Sequence, residues 1–412
     1  MKILFLAPQP FYQERGTPIA VRLALEALCK KLQASAHHEP TIDLLVYDEG
    51  TAIAIDGVRI HRIPTPAFLK GIRPGISVKK LLCDVIFLIV TFQMLWRARK
   101  APYAVIHAVE ESVFIAWLGK KLFKTPYIYD MDSSLALQLT EKWWILRPVL
   151  SIFESLERVV VRGSIAVAPV CDALQAIAVK HGSRNTVMLR DVSLLPESDE
   201  QKRPLRAELG LPDHQPLIVY VGNLESYQGI DLLLEAFSLA CSHPSGPVLA
   251  IIGGTQAAID AYKQKALRLG CAERVSFLGP RPVATLGDLL SSADIVVSPR
   301  IKGNNTPMKV YSYLHCGRAL LATDLPTHTQ VVDGTTAVLT APTPTGFAAG
   351  MLLLLSDPGL RDEIGARAKA RAERLYTVAA FETQLSALYD KVQESLPFCP
   401  PKPALAMGEK IS

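Results

Sequence analysis

Short apolar runs alternate with helix-period stretches along this whole chain, and the alternation halts once, at the polar, proline-bounded PESDEQKRP that follows Leu195. Alternation of this kind is the signature of βαβ units, whose crossovers build a parallel sheet. A restart after a halt means a second sheet. Before the halt the strand candidates are Ile3–Ala7, Asp43–Tyr47, Val58–Ile63, Ala104–His107, Tyr127–Asp130, Ile165–Pro169 and Thr186–Leu189. After it they are Leu217–Gly222, Val248–Gly253, Val275–Gly279, Ile295–Pro299, Ala319–Thr323 and Ala337–Leu339. Two α/β domains are expected, over 1–200 and 201–380, and a chain of 412 residues exceeds what one core usually serves. Past Asp357 the pattern turns helical. A C-terminal helix over 381–396 is expected to pack back toward the first domain, and the proline-rich 397–412 reads as a loose tail.

Composition narrows the function classes. Hydrophobic residues make up 49% of the chain and charged residues 20%, the balance of an ordinary soluble globular protein. The net charge of +5 comes without a long Lys/Arg block, so no nucleic-acid partner is expected, and mild attraction to anionic surfaces is the most it permits. Seven cysteines stand singly at 29, 83, 171, 241, 271, 316 and 399, with no CxxC pair. That pattern fits a reducing compartment and argues against a disulfide framework or a zinc site. The opening MKILFLAPQP holds an apolar run too short for a secretory signal and reads as a first strand, which points to the cytoplasm.

One segment adds a membrane question. Leu81–Trp96 carries only Asp84, Thr91 and Gln93 as polar residues, with Lys79 and Lys80 before it and Arg97, Arg99 and Lys100 after. Sixteen residues fall short of the ~20 needed to span a bilayer. Either the segment packs into the core, or it lies on a membrane surface with its basic flanks on anionic lipid, at the inner face of a membrane.

Two helix starts share one design. Gly16-Thr17-Pro18 follows the first strand, and Asn305-Thr306-Pro307 follows Ile295–Pro299. In both, Thr suits the N-cap and Pro the first helical position, and the free N–H groups of such a start suit an anion. Lys309 sharpens the second case. A cation in the first turn opposes the helix dipole, and a bound phosphate would reverse that sign. Arg300 and Lys302 lie just upstream, so three cations crowd one helix start. Gly253-Gly254 lacks the remainder of a GxGxxG and reads as a tight turn.

The stretch SPRIKGNNTPMKVYSYLHCGRALLATDLPTHTQVVDGTTAVL resembles the donor-binding loop, helix and strand of family 4 retaining glycosyltransferases. YVGNLESYQGIDLLLEAF is similar to the first strand and helix of their C-terminal domain, and KILFLAPQPFYQERGTPIAVRLALEAL to their N-terminal strand, glycine loop and helix. The resemblance covers residues 1–395 and is most specific in the C-terminal half. It implies a GT-B fold, two Rossmann-like domains facing across a cleft. It also implies a nucleotide-sugar donor held mainly by the second domain, no required metal or other cofactor, and transfer to a sugar, polysaccharide or lipid-linked hydroxyl with retention.

The departures from the family pattern are chemical. The family's two glutamates eight apart fall on Asn304 and Ser312, and its Arg and Lys after the first C-terminal strand fall on Asn223 and Gln228. All four places hold neutral polar groups, which hydrogen-bond but carry no charge. The resemblance therefore describes a divergent branch in which Lys309, Arg300 and Lys302 are left to offset the diphosphate. It places the donor near Gly222, Asn223, Gln228, Arg300, Asn304, Asn305, Thr306, Lys309 and Ser312. A histidine near the reacting carbon in the family corresponds here to YDMDSS, with Asp132 as the best match. Asp132 either takes a proton from the acceptor or caps the next turn. Glu110 and Glu111 follow His107 at the end of the preceding strand, where His107 is either a buried, satisfied residue or a catalytic one. The expected catalytic set is Asp132, Lys309 and Glu110, with Gly16, Thr17 and His107 on the acceptor side. A GT-B nucleotide-sugar epimerase and a binding protein without turnover are the competing readings.

Overall fold

The computed structural model describes residues 1–12, 16–35, 41–50, 53–72, 77–136, 148, 150–195 and 204–396. The linker 196–203 and the tail 397–412 lie outside the described residues. The strands are β1 (Lys2–Ala7), β2 (Thr41–Val46), β3 (Val58–Arg62), β4 (Val105–Val109), β5 (Tyr127–Met131), β6 (Ala166–Pro169), β7 (Leu217–Val221), β8 (Val248–Ile252), β9 (Val275–Gly279), β10 (Ile295–Ser298), β11 (Ala319–Thr323) and β12 (Val338–Thr340). The helices are α1 (Gly16–Ser35), α2 (Val78–Arg97), α3 (Ser112–Phe123), α4 (Leu150–Gly163), α5 (Asp172–Lys180), α6 (Pro204–Glu208), α7 (Ile230–Ala240), α8 (Gln256–Arg268), α9 (Leu286–Ser291), α10 (Met308–His315), α11 (Pro326–Thr329), α12 (Pro344–Ser356), α13 (Pro358–Leu375) and α14 (Val378–Ser395).

Each half forms a six-stranded sheet, ordered β3-β2-β1-β4-β5-β6 and β12-β11-β10-β7-β8-β9. Every strand pair is parallel. In both, the order reverses beside the first strand of the sheet, the place where open α/β sheets bind ligands beyond their strand ends. The central strands are buried on both faces, which is why they read as unbroken apolar runs rather than alternating ones. In the first sheet α2, α3, α4 and α5 cover one face, with Leu4, Leu6, Phe87, Val113, Ala116, Val160 and Leu174 in one core. On the opposite face α1 is joined by α14, whose Phe381, Leu385, Leu388, Tyr389 and Val392 share a core with Ile3, Phe5 and Leu28. Lys30 and Lys31 of α1 bind Glu382 and Asp390 at 2.9 and 2.6 Å along the rim of that contact.

One strand expectation is met only in part. Thr186–Leu189 runs parallel to β6 without forming a full strand: it makes one bridge to Val167, and the Val187 and Leu189 N–H groups donate to the Val167 and Pro169 carbonyls at 3.0 Å, before the chain crosses to the second domain, where the Ser193 N–H donates to the Tyr376 carbonyl at 2.9 Å. Leu81–Trp96 is a helix, α2, with one stripe in the core (Cys83, Phe87, Thr91, Leu95) and a second apolar stripe outside it. Among the described residues no helix is long and apolar enough to cross a membrane.

Candidate active site

Parallel strands deliver their side chains to one rim, and at the rim of the first sheet those side chains are acids. Glu110, directly after β4, adopts a left-handed backbone (φ 51°), and its N–H donates to the Asp130 carbonyl at 3.0 Å. A non-glycine residue held there costs about 1–2 kcal/mol, so the surrounding structure must enforce it. Asp130 is the fourth residue of β5, and Asp132 follows that strand. Burial pushes the Asp132 carboxyl well above the usual carboxylate range, and the charges of Asp130, Glu110 and Asp191 push it further. A hydrogen bond from Thr17, in the first turn of α1, pulls the other way. Burial, with Asp130, raises Asp191 to about 7. Glu110 is raised by burial, against the opposing pull of Lys80 and reinforced by Asp130. Such a cluster binds its protons more tightly than separate carboxylates do, which suits general acid or base chemistry.

His107 does not take the acceptor-side place expected of it. It is fully buried and stacked on Phe5 at 4.1 Å between ring centres. Its Nδ1 lies 2.9 Å from the Tyr389 hydroxyl and its Nε2 3.2 Å from Asp130 Oδ2. The ring therefore fixes Asp130 from beneath, and α14 reaches the rim through Tyr389. Thr17 is not an N-cap, because α1 already begins at Gly16. No atom of the described residues lies within 4 Å of where a Cβ on Gly16 would sit.

At the rim of the second sheet the prominent charge is an amine. The Lys309 ammonium donates to Gln228 Oε1 at 3.1 Å and sits 3.9 Å above the Tyr220 ring. Burial holds its pKa well below the ordinary lysine value, and the Arg300 charge adds to the effect. Gly222 leaves the room it needs: a Cβ there would lie 3.2 Å from Lys309 Nζ. Gly253 has φ 115°, and a Cβ on it would meet the Gly222 carbonyl oxygen at 2.1 Å, so these two strand ends cross at a distance only glycine allows.

The loop leading into α10 is self-bound. Arg300 donates to the carbonyls of Lys302 and Asn305 at 2.7 and 3.4 Å and to Asn305 Oδ1 at 3.3 Å, so its guanidinium shapes the loop. The Thr323 hydroxyl donates to the Arg300 carbonyl at 2.6 Å, and behind it His328 is kept neutral by burial, with its pKa lowered to about 3. Asn304 turns its carbonyl to Gln330, which donates at 2.7 Å while its own oxygen accepts from the Ala173 N–H of α5 at 2.9 Å. Gln330 thus ties the loop to the first domain.

Two donor-side expectations are corrected. Pro307, not Thr306, is the N-cap of α10, and the Thr306 hydroxyl is buried with no hydrogen-bond partner among the described residues. Ser312 is fully buried, and its hydroxyl accepts from the Leu194 N–H at 3.0 Å, so it joins the domains instead of facing a ribose. Asn223 is exposed and caps its own turn, accepting from the Glu225 N–H at 3.4 Å.

Residues without a motif complete the site. Asp191 sits in the crossing segment, within electrostatic reach of Tyr311 on α10, which brings the two rims together. Gln9, just past β1, has a buried amide nitrogen with no partner among the described residues. Tyr220 and Tyr389 lie inside apolar runs that reveal only burial. No group of three or more His, Cys, Asp or Glu among the described residues is placed to hold a metal.

Comparison with known proteins agrees with this architecture. Residues 20–190 match the model described as a glycosyl transferase 4-like domain, and residues 201–371 match glycosyl transferases group 1. Both halves of the chain are glycosyltransferase domains. Among relatives, a D-inositol 3-phosphate glycosyltransferase of Corynebacterium glutamicum (strain R) is 29% identical over 215 residues, 48% of this chain and 49% of that one. The chain spans about half the length of the curated relatives it matches. Sucrose-phosphate synthase from Thermosynechococcus elongatus superposes with a TM-score of 0.77 at 18% identity, covering 96% of this chain and 99% of that one. HepE of Anabaena, solved in complex with UDP-glucose, superposes with a TM-score of 0.70 at 16% identity, covering 95% and 99%. The fold is GT-B.

Proposed function

We propose that this glycosyltransferase moves a sugar from a nucleoside-diphosphate donor to a hydroxyl acceptor with retention of configuration. The observation that carries the reading is Lys309: an amine held below its ordinary pKa by burial, at the start of α10, the helix that follows Thr306, whose hydroxyl has no partner among the described residues. A diphosphate seated there supplies the missing counter-charge. As the bond from sugar to phosphate breaks, negative charge grows on the leaving oxygen, and Lys309 with the N–H groups of α10 stabilises it. Arg300 holds the loop in place. On the opposite rim Asp132, in its ionised form, takes the acceptor proton, its basicity raised by burial and its neighbouring acids, with Glu110 and Thr17 setting its charge and position. No metal enters this scheme. The singly scattered cysteines support a reducing, cytoplasmic compartment, and the acceptor in this reading is a sugar, polysaccharide or lipid-linked hydroxyl.

A nucleotide-sugar-binding protein without turnover is the second reading, favoured by Ser312, which stands where the family has a glutamate and is engaged by Leu194. Incubating the protein with UDP-, GDP-, ADP- and TDP-sugars, with and without candidate acceptors, separates the two. Release of nucleoside diphosphate supports transfer. Thermal stabilisation without release in any mixture supports the binding protein, and neither response from any donor contradicts both.

A further inference from the structure

The outer surface of the α2–α3–α4 layer is the least explained part of the molecule. On α2 the side chains of Val78, Leu81, Leu82, Val85, Ile89 and Trp96 recur at helical spacing and face away from the core, with Val78 77% exposed, Leu81 63% and Trp96 58%. Helix α3 lies between α2 and α4, touching the first through Phe92 and Phe123 and the second where Trp117 meets Gly163. It adds exposed Leu118 and Leu122, and α4 adds Ile152, Leu156 and Val159. Scattered exposed leucines need no explanation; a continuous apolar face over three neighbouring helices does.

Its charge identifies what covers it. Residues 78–124 hold eight Lys and Arg against three Asp and Glu, a net +5 that equals the charge of the entire chain. The acids are turned inward: Asp84 accepts from the Tyr47 hydroxyl, Glu111 pairs with Lys80, and Glu110 belongs to the acidic rim. Lys79, Arg97, Arg99, Lys100, Lys121 and Lys124 edge the apolar stripe, and Arg99 stacks 3.2 Å above the Trp96 ring. Between α3 and α4 lies a groove of about 480 Å³ lined by Trp117, Lys120, Lys121, Lys124, Val159 and Arg162, which fits an anionic headgroup. Apolar side chains ringed by cations and tryptophan are the composition of a helix lying in a bilayer interface.

We propose that the α2–α3–α4 face docks on an anionic phospholipid membrane, with α2 lying in the interface and the α3–α4 groove taking a lipid phosphate. Docking does not depend on the transfer reaction. If that reaction holds, docking deepens it: Lys80, in the first turn of α2, pairs with Glu111 beside Glu110, so the acid rim sits next to the lipid surface and the acceptor is a lipid-borne hydroxyl.

Flotation of the full chain with phosphatidylcholine vesicles, with and without phosphatidylglycerol, tests the docking directly. The expected recovery with anionic vesicles is at least about tenfold that with neutral ones, since each Lys or Arg near such a surface contributes about a factor of five. Ile89→Glu removes recovery, and Lys121→Glu and Lys124→Glu each lower it by about fivefold. All three variants keep the wild-type melting temperature and nucleoside-diphosphate stabilisation, which separates failed docking from failed donor binding. Equal recovery from both vesicle types, no recovery from either, or undiminished recovery of Ile89→Glu overturns the proposal. A stable dimer in light scattering that Ile89→Glu dissolves assigns the face to a second copy, and so overturns it too.

Discussion

The two rims that meet between the domains carry opposite electrostatic problems. The N-terminal rim collects Glu110, Asp130, Asp132 and Asp191, with carboxyl pKa values raised at three of the four. The C-terminal rim buries an amine, Lys309, whose pKa is lowered, and a neutral histidine, His328, behind it. One half favours the protonated form more than ordinary carboxylates do, and the other favours it less than an ordinary lysine does. Neither state helps folding. Both suit a reaction in which an anionic leaving group departs toward the C-terminal rim while a proton departs toward the N-terminal one. A buried ionisable group with a shifted pKa is most economically explained by a partner that arrives with the substrate.

The largest effect that can sharpen this comparison is expected at Lys309. Lys309→Met keeps the stem over Tyr220 and removes the charge, and kcat should fall by ~10²–10³, about 3–4 kcal/mol of transition-state stabilisation. Because Gln228 Oε1 lies 3.1 Å from the ammonium, Gln228→Lys in that background restores a cation within reach and should recover part of the loss. Steady-state kinetics with the donor identified by the panel reads both changes. Near-normal turnover in Lys309→Met removes the asymmetry between the rims.

Asp132→Asn comes next. A positioned general base contributes typically 10²–10⁴-fold, and the loss should fall on kcat with donor KM unchanged. The acid limb of the wild-type pH–rate profile should lie above the ordinary carboxylate range and disappear in the variant. An unmoved limb assigns the proton to another group.

Stability should show the same division at smaller scale. Asp191 has a folded pKa of about 7 against an ordinary carboxylate value near 4. The raised acid leaves stability intact below pH ~4 and subtracts from it as pH rises toward ~7, where the unfolded chain is ionised and the native one is not. Asp191→Asn should therefore raise the free energy of unfolding at pH 8, by on the order of 1–3 kcal/mol, and the melting temperature with it, with little effect at pH 4. The smallest effect is expected at Ser312. Ser312→Ala should cost about 1 kcal/mol, the net worth of one hydrogen bond to Leu194, and leave donor KM unchanged. A large KM change would return Ser312 to the donor site.

How much of this was legible beforehand differs between fold and site. Apolar runs such as Leu217–Val221 and Ile295–Ser298 announce buried parallel strands, so both sheets could be drawn from sequence. Thr186–Leu189 was legible only in part, because its pattern is that of a strand, while the requirement to cross between domains is not written locally. Lys309 was readable because a cation at a helix start runs against the dipole. Its lowered pKa was not, since that depends on burial and on the Arg300 charge, which the ends of β7 and β10 bring together. The Asp191 contribution and the support of Asp130 by His107 and Tyr389 join residues as far apart as 107 and 389, which no spacing rule reveals. Thr306 and Ser312 were each assigned to ligand contact by type and register, yet only the packed structure shows that Ser312 is engaged and that the Thr306 hydroxyl has no partner.

The central claim is that a diphosphate seats against Lys309 and raises its lowered pKa. Titration calorimetry with UDP, GDP, ADP and TDP in two buffers of unequal ionisation enthalpy, repeated from neutral pH up to the ordinary lysine range, measures the protons taken up on binding. At least one nucleotide should bind the wild-type protein with net proton uptake, and the same nucleotide should bind Lys309→Met more weakly and without it. Equal heats in the two buffers for the wild-type protein, or the same proton uptake in Lys309→Met, would contradict the account.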